Sequence, residues 1–467
     1  MGTQPDLSPE GETMQLGFAK TDITPRVGVE LCGFGPFLNR HSTGVRDRLW
    51  ARAMAVQVNA KRVVTVACDL VGVGLGITRE VRGILADRVG LEPDQIMVCC
   101  SHTHSGPATR VYGGWGQPDP PYLVTLPPRI ADAAVRAVEG LQAAELCHAE
   151  VPCQGIGINR EYDEFWASCE QAMQPDWRPD KPELTDTTCH VLAARDTEGR
   201  LLGFGAYFGC HPVVCCAESR VIHGDYPGVA LNNVERDHPG AVGLFFQGAQ
   251  GDVNTAIGGR SEQESLLALD EIAGRFARSV RRGLSQTQEV QVADLSVCRR
   301  DVMFAREEAT TDELMRRLEE CEGKIVAADE NSLPDDSDRA TRMAVVRAIA
   351  LRGLLARSEA GESLSPPTEV HGMRLGPIAL LGSPFETFQA IKRDVCEKAS
   401  APVPLVVSFV NDSAGYAVDE TCAERGGYAA DTVPMITGEL PFASIHEELV
   451  TELTRLDAAL KAGMMNG

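Results

Sequence analysis

Two histidines in a run of small residues give the strongest sign of chemistry in this chain. His102 and His104 belong to the segment Ser101–Pro107, which directly follows the apolar stretch Gln95–Cys100. An apolar stretch of this length predicts a buried strand, and side chains two positions apart on an extended backbone point to the same side. One imidazole could then bind a metal ion while the other acts beside it on a substrate. A His-x-His pair alone is weak evidence, because most such pairs are ordinary surface or core histidines.

Four later segments share one pattern, in which an apolar strand ends in small residues and one reactive group. The segments place His211 after residues 205–210, the Gly-rich loop 247–254 after 242–246, Glu386 after 378–382 and Tyr416 after 405–410. Ligands in α/β folds collect at the carboxyl ends of strands. If only one strand ended in this way, we would interpret the segment after it as an ordinary turn. Five of them together predict one shared site.

The chain resembles the neutral/alkaline non-lysosomal ceramidases, and in particular their amino-terminal catalytic domain. The similarity extends from about Gly17 to the end of the chain. It is carried by the His-Thr-His-Ser-Gly-Pro run and by the segments Gly17–Pro25, Gly44–Ala53 and Val63–Asp69. We therefore expect an α/β fold of the ceramidase type, with mixed β-sheets layered with covering helices. It would form a single catalytic domain over residues 15–467, after a polar, flexible tail at residues 1–14.

The resemblance implies a catalytic zinc ion. The residues that bind zinc in the family's motifs correspond in this chain to His102, His211, Glu386 and Tyr416. Two histidines, one carboxylate and a weak fourth ligand suit a hydrolytic zinc that keeps room for water. By the same resemblance, His104 is expected to contact the substrate or to transfer a proton. Arg160 is expected to hold the product carboxylate or the carbonyl oxygen, a task that suits a planar guanidinium.

At one position the chain departs from the family. Ceramidases carry a serine in a Gly-Asp-Val-Ser-Pro-Asn loop, where it meets the head-group hydroxyl, whereas this chain has Asn254 at that position and Thr255 one step later. An amide donates and accepts hydrogen bonds but is not a nucleophile. A mechanism that uses metal-activated water survives this change, but ceramide fits poorly as the substrate. The chain, which ends at Gly467, is also expected to lack the family's carboxy-terminal immunoglobulin-like domain.

The pair His223 and Asp225 allows two interpretations. Asp225 can cap a helix that is predicted to begin here. Alternatively, the two side chains contribute to a second metal site.

Composition restricts the partners and the compartment. The net charge of −22 argues against binding to nucleic acid or to anionic membrane surfaces. No apolar run is long enough to span a membrane, and the amino terminus has no secretory leader pattern. The fifteen cysteines are odd in number, and several are adjacent or lie in apolar strands, which predicts reduced thiols and a cytoplasmic location. A small-molecule substrate is expected, and homo-oligomer formation stays open.

Two segments outside these motifs carry predictions of their own. Residues 304–362 turn charged, with apolar residues at helical spacing, and predict an inserted helical hairpin that serves as a lid, a dimer contact or a structural arm. Residues 112–122 form a Gly/Pro-rich loop with aromatic side chains, which either shapes a substrate pocket or is a rigid surface loop.

The sequence therefore predicts a zinc-dependent hydrolase that cleaves an amide C–N bond of a small soluble substrate by metal-activated water. The substrate would be an amide, a lactam or a related ester, with His104, Arg160 and Asn254 in the catalytic machinery. Two alternatives remain. One is a metal-dependent lyase or isomerase that acts on a polar metabolite, and the other is a metal-binding homologue without catalysis.

Overall fold

Strands and helices alternate along the chain largely where the apolar runs predict them. The computed structural model describes residues 14–110, 112–162, 167–330 and 338–465. Residues 1–13 of the predicted tail lie outside these ranges. Met14, which was predicted to belong to the tail, instead packs beside the core and accepts a backbone hydrogen bond from Ala144.

Most of the strands build two sheets. The strands are β1 Gln15–Asp22, β2 Gly44–Val45, β3 Trp50–Val58, β4 Lys61–Cys68, β5 Ile96–Cys100, β6 Gln142–Pro152, β7 Gly157–Asn159, β8 Thr188–Asp196, β9 Leu201–Phe208, β10 Val221–Ile222, β11 Val242–Gln247, β12 Val253–Thr255, β13 Gln288–Glu289, β14 Leu295–Met303, β15 Pro367–Leu375, β16 Ile378–Gly382, β17 Glu386–Thr387, β18 Val403–Val407 and β19 Tyr416–Ala417. One sheet has the order β11-β9-β8-β6-β1-β3-β4-β5, with β13 beside β6, and a second has the order β14-β15-β16-β18. The remaining strands form the short pairs β2–β10, β7–β12 and β17–β19.

Eleven α-helices are described, and several of them cover the outer faces of the two sheets. The helices are α1 Leu75–Val89, α2 Pro120–Glu139, α3 Cys169–Ala172, α4 Asp225–Asp237, α5 Glu262–Gln286, α6 Thr311–Glu330, α7 Arg339–Glu359, α8 Gln389–Lys398, α9 Glu420–Arg425, α10 Val433–Thr437 and α11 Ile445–Met465. Helices α2, α4 and α5 pack on the large sheet, and α8 and α11 pack on the small one. Helix α5 shows how the sequence determines where a covering helix begins and which face it buries. Ser261 and Glu264 form a capping box at its start, and its inner face buries residues at helical spacing, such as Ile272 and Phe276.

Both sheets share one inner core. This core includes Met54 and Phe246 from the large sheet and Met373 and Leu405 from the small sheet. All five residues of β5 are buried, as expected for a strand with no solvent-facing side.

Parallel pairing determines where the site can form. The pairs β4–β5, β9–β11 and β16–β18 are parallel. Their carboxyl ends lead into the segments that carry His102, His211, Glu386 and Tyr416. The fold therefore places the carboxyl ends of these strands together, as the sequence predicts.

The helical hairpin predicted over residues 304–362 is present as α6 and α7. Residues 331–337 between the two helices lie outside the described ranges. Leu314 of α6 and Leu351 of α7 belong to a buried cluster that also contains Met435 of α10. The hairpin therefore packs against α10, which follows Tyr416 in the chain.

Candidate metal centre

His102 stands in a turn that directly follows β5. Its backbone has φ +68°, which is the left-handed region, and its ring is stacked on Phe409 at 4.1 Å between centroids. The Nδ1–H group donates to the carbonyl of Val71 at 2.6 Å. The predicted extended backbone at this position is therefore wrong. The turn and its contacts, rather than strand alternation, aim the ring into the site.

His211 is oriented in the same way by the loop that follows β9. Its Nδ1–H group donates to the carbonyl of Gln250 at 2.7 Å. The side chain of Gln247 ties the two histidine loops together, because its Nε2 donates to the carbonyls of Ser101 and Cys210. Since Nδ1 carries the proton in both His102 and His211, each Nε2 keeps a free lone pair, as a metal ligand requires.

Glu386 faces these two lone pairs. Its Oε2 lies 2.9 Å from His211 Nε2 and 3.5 Å from His102 Nε2. Ligands at 2.0–2.1 Å from a tetrahedral zinc ion are about 3.3 Å apart, so these separations fit a common cation. Burial by itself raises the pKa of Glu386, whereas positive charge at the facing imidazoles holds the pKa well below its usual range, so a positive charge at this point keeps the carboxylate ionised. Burial lowers the pKa of His211 to about 4, which keeps that ring neutral at neutral pH.

His104 lies against the same group. Its Nε2 is 3.0 Å from His102 Nε2, and the ligating atoms of His102, His104 and His211 all lie within 4.8 Å of one another. His104 Nε2 donates to the lone pair of His102 Nε2 in this contact, and a metal ion bound by that lone pair would replace this hydrogen bond. Burial, reinforced by the two other histidines, holds the pKa of His104 well below its usual value. His104 is thus near enough to be a third nitrogen ligand, and its separate role in proton transfer stays a prediction.

Tyr416 and Arg160 form the neighbouring wall. Tyr416 pairs with Glu386 across the parallel strands β17 and β19. The Arg160 guanidinium carbon lies 5.0 Å from the centroid of the Tyr416 ring. Within the described ranges, Arg160 Nε and Nη2 are buried without a hydrogen-bond partner. These N–H groups are available to a substrate oxygen.

Asn254 enters the site from β12. Its strand pairs with β7, which ends directly before Arg160, and its backbone also bridges to that of His211. Asn254 Oδ1 is buried and has no hydrogen-bond partner among the described residues. The structure therefore brings together all seven predicted site residues, while their individual roles stay predictions.

Sequence reasoning missed Tyr428, whose ring lies in the site, and Asp252, a buried carboxylate whose backbone carbonyl accepts from the Arg160 backbone N–H. The ring of Tyr428 lies 6.3 Å from that of Tyr416 and follows Gly426-Gly427. This Gly-Gly pair could have marked a special turn in the sequence, and both residues do adopt positive φ. Asp252 accepts hydrogen bonds from Asn159 Nδ2 and from the backbone of Gln389, both at 2.9 Å. Burial raises the pKa of Asp252 to about 7.

Two cavities meet at the candidate centre. The narrow cavity has a volume of about 80 Å³, and the wide cavity has about 360 Å³. The residues Gly33, His104, Tyr416 and Tyr428 line both. Tyr112 and Trp115 of the Gly/Pro-rich loop line the narrow cavity, which favours the pocket interpretation of that loop.

The pair His223 and Asp225 belongs to a separate, buried group with Cys215, whose ligand-capable atoms lie within 4.8 Å of one another. However, His223 Nδ1 accepts a hydrogen bond from the backbone N–H of Asp225, so the proton of the neutral ring sits on Nε2. That nitrogen is then a donor rather than a ligand, which argues against a second metal site. The predicted side-chain cap is also not formed, since Asp225 is the first residue of α4 and its Oδ1 accepts from the next backbone N–H.

Two global features bear on the surroundings of the protein. None of the helices within the described ranges has the length and apolar character needed to span a bilayer. All fifteen cysteines are free thiols, and most are buried.

Comparisons with known proteins place this geometry in context. The family model described as neutral/alkaline non-lysosomal ceramidase, N-terminal, matches residues 14–270. The crystal structure of the neutral ceramidase from Pseudomonas aeruginosa is similar with a TM-score of 0.74 and 19% identity, over 97% of this chain and 75% of that chain. A structure described as ceramidase complexed with C2 gives a TM-score of 0.74 and 18% identity, over 97% of this chain and 76% of that chain. These similarities confirm the predicted mixed α/β fold.

Proposed function

Because the chain belongs to the neutral/alkaline non-lysosomal ceramidase family, we propose that it is a zinc-dependent hydrolase that cleaves an amide C–N bond of a small soluble substrate. One observation carries the proposal. The Nε2 atoms of His102 and His211 and the Oε2 atom of Glu386 converge in a buried site, with both ring tautomers set for metal binding. Without a cation, two lone pairs would face an ionised carboxylate, which is costly in a buried site.

His102, His211 and Glu386 would hold the zinc ion, with Tyr416 beside them. A zinc ion bound there would polarise the substrate carbonyl and lower the pKa of a coordinated water molecule. His104 lies next to His102 and is neutral because burial lowers its pKa, so it would take a proton from the attacking water and pass it to the leaving nitrogen. The free N–H groups of Arg160 would orient the carbonyl oxygen and then the product carboxylate.

The shape of the site supports a small substrate. A volume of about 10–15 Å³ is needed for one water molecule, so the narrow cavity of about 80 Å³ takes only a short chain. Asn254, which stands where the related enzymes have serine, offers an amide in place of a hydroxyl to the head group. Both features favour a short amide over a long-chain ceramide.

A reducing compartment suits the free thiols. The adjacent pairs Cys99-Cys100 and Cys215-Cys216 are buried and unlinked. We therefore propose a cytoplasmic location, consistent with how rarely disulfides persist there.

The proposal is tested by turnover in water labelled with oxygen-18. Zinc-loaded protein is incubated with short N-acyl compounds and lactams, and the products are identified by mass spectrometry. We expect a free amine and a carboxylic acid that has gained one labelled oxygen. A His211→Ala variant serves as the inactive control.

Two results would contradict the proposal. Products formed without the label would favour an elimination or an isomerisation. Faster turnover of long-chain ceramide in detergent than of any short amide would contradict the assignment of a small soluble substrate.

A further inference from the structure

The wide cavity has an unusual charge for this protein. The chain carries a net charge of −22, yet the described lining of the wide cavity contains Arg160 and Arg339 and no aspartate or glutamate. The carboxylate of Glu386 lines the narrow cavity instead. A pocket that concentrates positive charge in an acidic protein is suited to an anionic ligand.

Arg339 comes from the helical hairpin. It is the first residue of α7 and is exposed at the rim of the wide cavity. Within the described ranges, no hydrogen bond or ion pair is found for its side chain. Burial raises the pKa of the nearby Tyr428 phenol, and the charges of Arg160 and Arg339 oppose that rise. Arg339 is therefore close enough to act on groups inside the cavity.

Other polar groups in this wall also lack partners. Arg160 Nε and Nη2 and Asn254 Oδ1 are buried and have no hydrogen-bond partner among the described residues, although Arg160 Nε lies 3.9 Å from Glu161 Oε1. Buried polar atoms in folded proteins nearly always have a hydrogen-bond partner. Arg160 and Asn254 both line the wide cavity, which indicates a polar ligand there that supplies the missing partners.

The narrow cavity has the opposite character. Val71, Trp115, Val433 and Ile436 are among its lining residues, and its other walls include only one arginine, Arg110, which is already paired with Asp412 at 2.8 Å. The candidate metal centre lies where the two cavities meet. A carbonyl carbon placed there would direct an apolar acyl group into the narrow cavity and the amine fragment into the wide one.

We infer that the substrate is an N-acyl amino acid with a short acyl chain, whose carboxylate is bound by Arg339 at the rim of the wide cavity. This inference rests on the proposed hydrolase function and adds the substrate class. In the reaction, the C–N bond breaks, the oxygen of water joins the acyl carbon, and a proton passes to the nitrogen. The products are a short carboxylic acid and a free amino acid.

The experiment compares two sets of compounds that differ only in the charged group. Values of kcat/KM are measured for N-acetyl amino acids and for the matching N-acetyl amino alcohols, in which CH₂OH replaces the carboxylate. A hydrogen bond to a charged group contributes about 1.5–3 kcal/mol, so we expect the acids to be preferred by roughly 10- to 100-fold.

The variant Arg339→Gln should lower this preference by about tenfold, because Arg339 is exposed and its contact is partly screened. Arg352→Gln is the matched control. Arg352 lies on the same helix, pairs with Glu322 and lines neither cavity. The change Arg352→Gln removes the same charge as Arg339→Gln, and the preference for acids over alcohols should stay as in the parent protein.

Four results would overturn the inference, and they are distinguishable. Equal turnover of acids and alcohols, or an unchanged preference in Arg339→Gln, would exclude the carboxylate contact while the hydrolase function stands. Faster turnover of N-succinyl amines than of N-acetyl amino acids would place the carboxylate on the acyl fragment instead. Failure of the zinc-loaded protein to hydrolyse any amide would remove the proposed function itself.

Discussion

A methyl group at position 33 would test the role of His104 without changing any proposed ligand. A Cβ atom built on Gly33 would lie 2.4 Å from Cγ and 2.7 Å from Nδ1 of His104. Since ordinary contacts of this kind are 3.4–4 Å long, the imidazole must move by about 1 Å. A displacement of 1 Å in a catalytic group costs about 100-fold in rate. We therefore expect Gly33→Ala to lower kcat/KM by roughly 100-fold.

The matched control is Gly28→Ala. Gly28 has φ +100° and Gly33 has φ +121°, so both substitutions force a side chain into a backbone conformation that favours glycine. A Cβ atom at Gly28, however, meets nothing within 4 Å. Both variants should lose about 1–3 kcal/mol of stability, while only Gly33→Ala should lose activity. The assay combines kcat/KM on a short N-acyl substrate, the zinc content and the thermal unfolding temperature.

Two results would refute this reasoning. If Gly33→Ala keeps the activity of Gly28→Ala, the position of His104 does not matter for the reaction. If Gly33→Ala loses zinc together with activity, His104 is a metal ligand, and the proton-transfer role must belong to another group.

Two predictions concern stability. His371 donates from Nε2 to the Asp94 carbonyl and accepts at Nδ1 from Asn411, and burial lowers its pKa from 6.5 to about 4. The unfolded state therefore binds more protons between pH 6.5 and 4, so stability should fall by about 3 kcal/mol as the pH drops through this window. Urea unfolding at several pH values should show a smaller loss in His371→Gln, and an identical loss would contradict the assignment. Glu369 is bound by Arg82 at 2.8 Å in the interior, so Glu369→Gln should cost about 3–5 kcal/mol in urea unfolding. The change Asp132→Asn in the surface pair with Arg136 should cost less than about 1 kcal/mol, and similar losses in the two variants would contradict this account.

The strand framework of the site could be predicted from local sequence. The runs that became β5, β9, β11 and β16 are apolar, short and followed by glycine, proline or small residues. Such apolar runs predict buried strands directly. Parallel pairing of these strands then brings their carboxyl ends together. The family resemblance identified which side chains at these ends to examine.

The fine geometry could not be predicted in the same way. His102 and Phe409 both have left-handed backbones, with φ +68° and +56°, and their rings stack on each other. Few non-glycine residues adopt that conformation, and although histidine is one of the types enriched in it, phenylalanine is not, so the local sequence gives little sign of it. Tertiary contacts between two distant segments stabilise it.

Residues whose partners lie far away in the sequence also could not be predicted. Arg339 lies in a charged helix whose pattern indicates an ordinary solvent-facing surface. Its place at the cavity depends on how the hairpin packs against α10, which no local pattern reports. Tyr428 and Asp252 were missed for the same reason, because their partners come from other parts of the chain.

The central claim is that His102, His211 and Glu386 bind one catalytic zinc ion. The most direct measurement is elemental analysis of the parent protein and of His102→Ala, His211→Ala and Arg160→Lys, all purified without chelators. We predict about one zinc ion per chain in the parent and in Arg160→Lys, and little zinc in the two histidine variants. Zinc contents in His102→Ala and His211→Ala equal to that of the parent would contradict the claim.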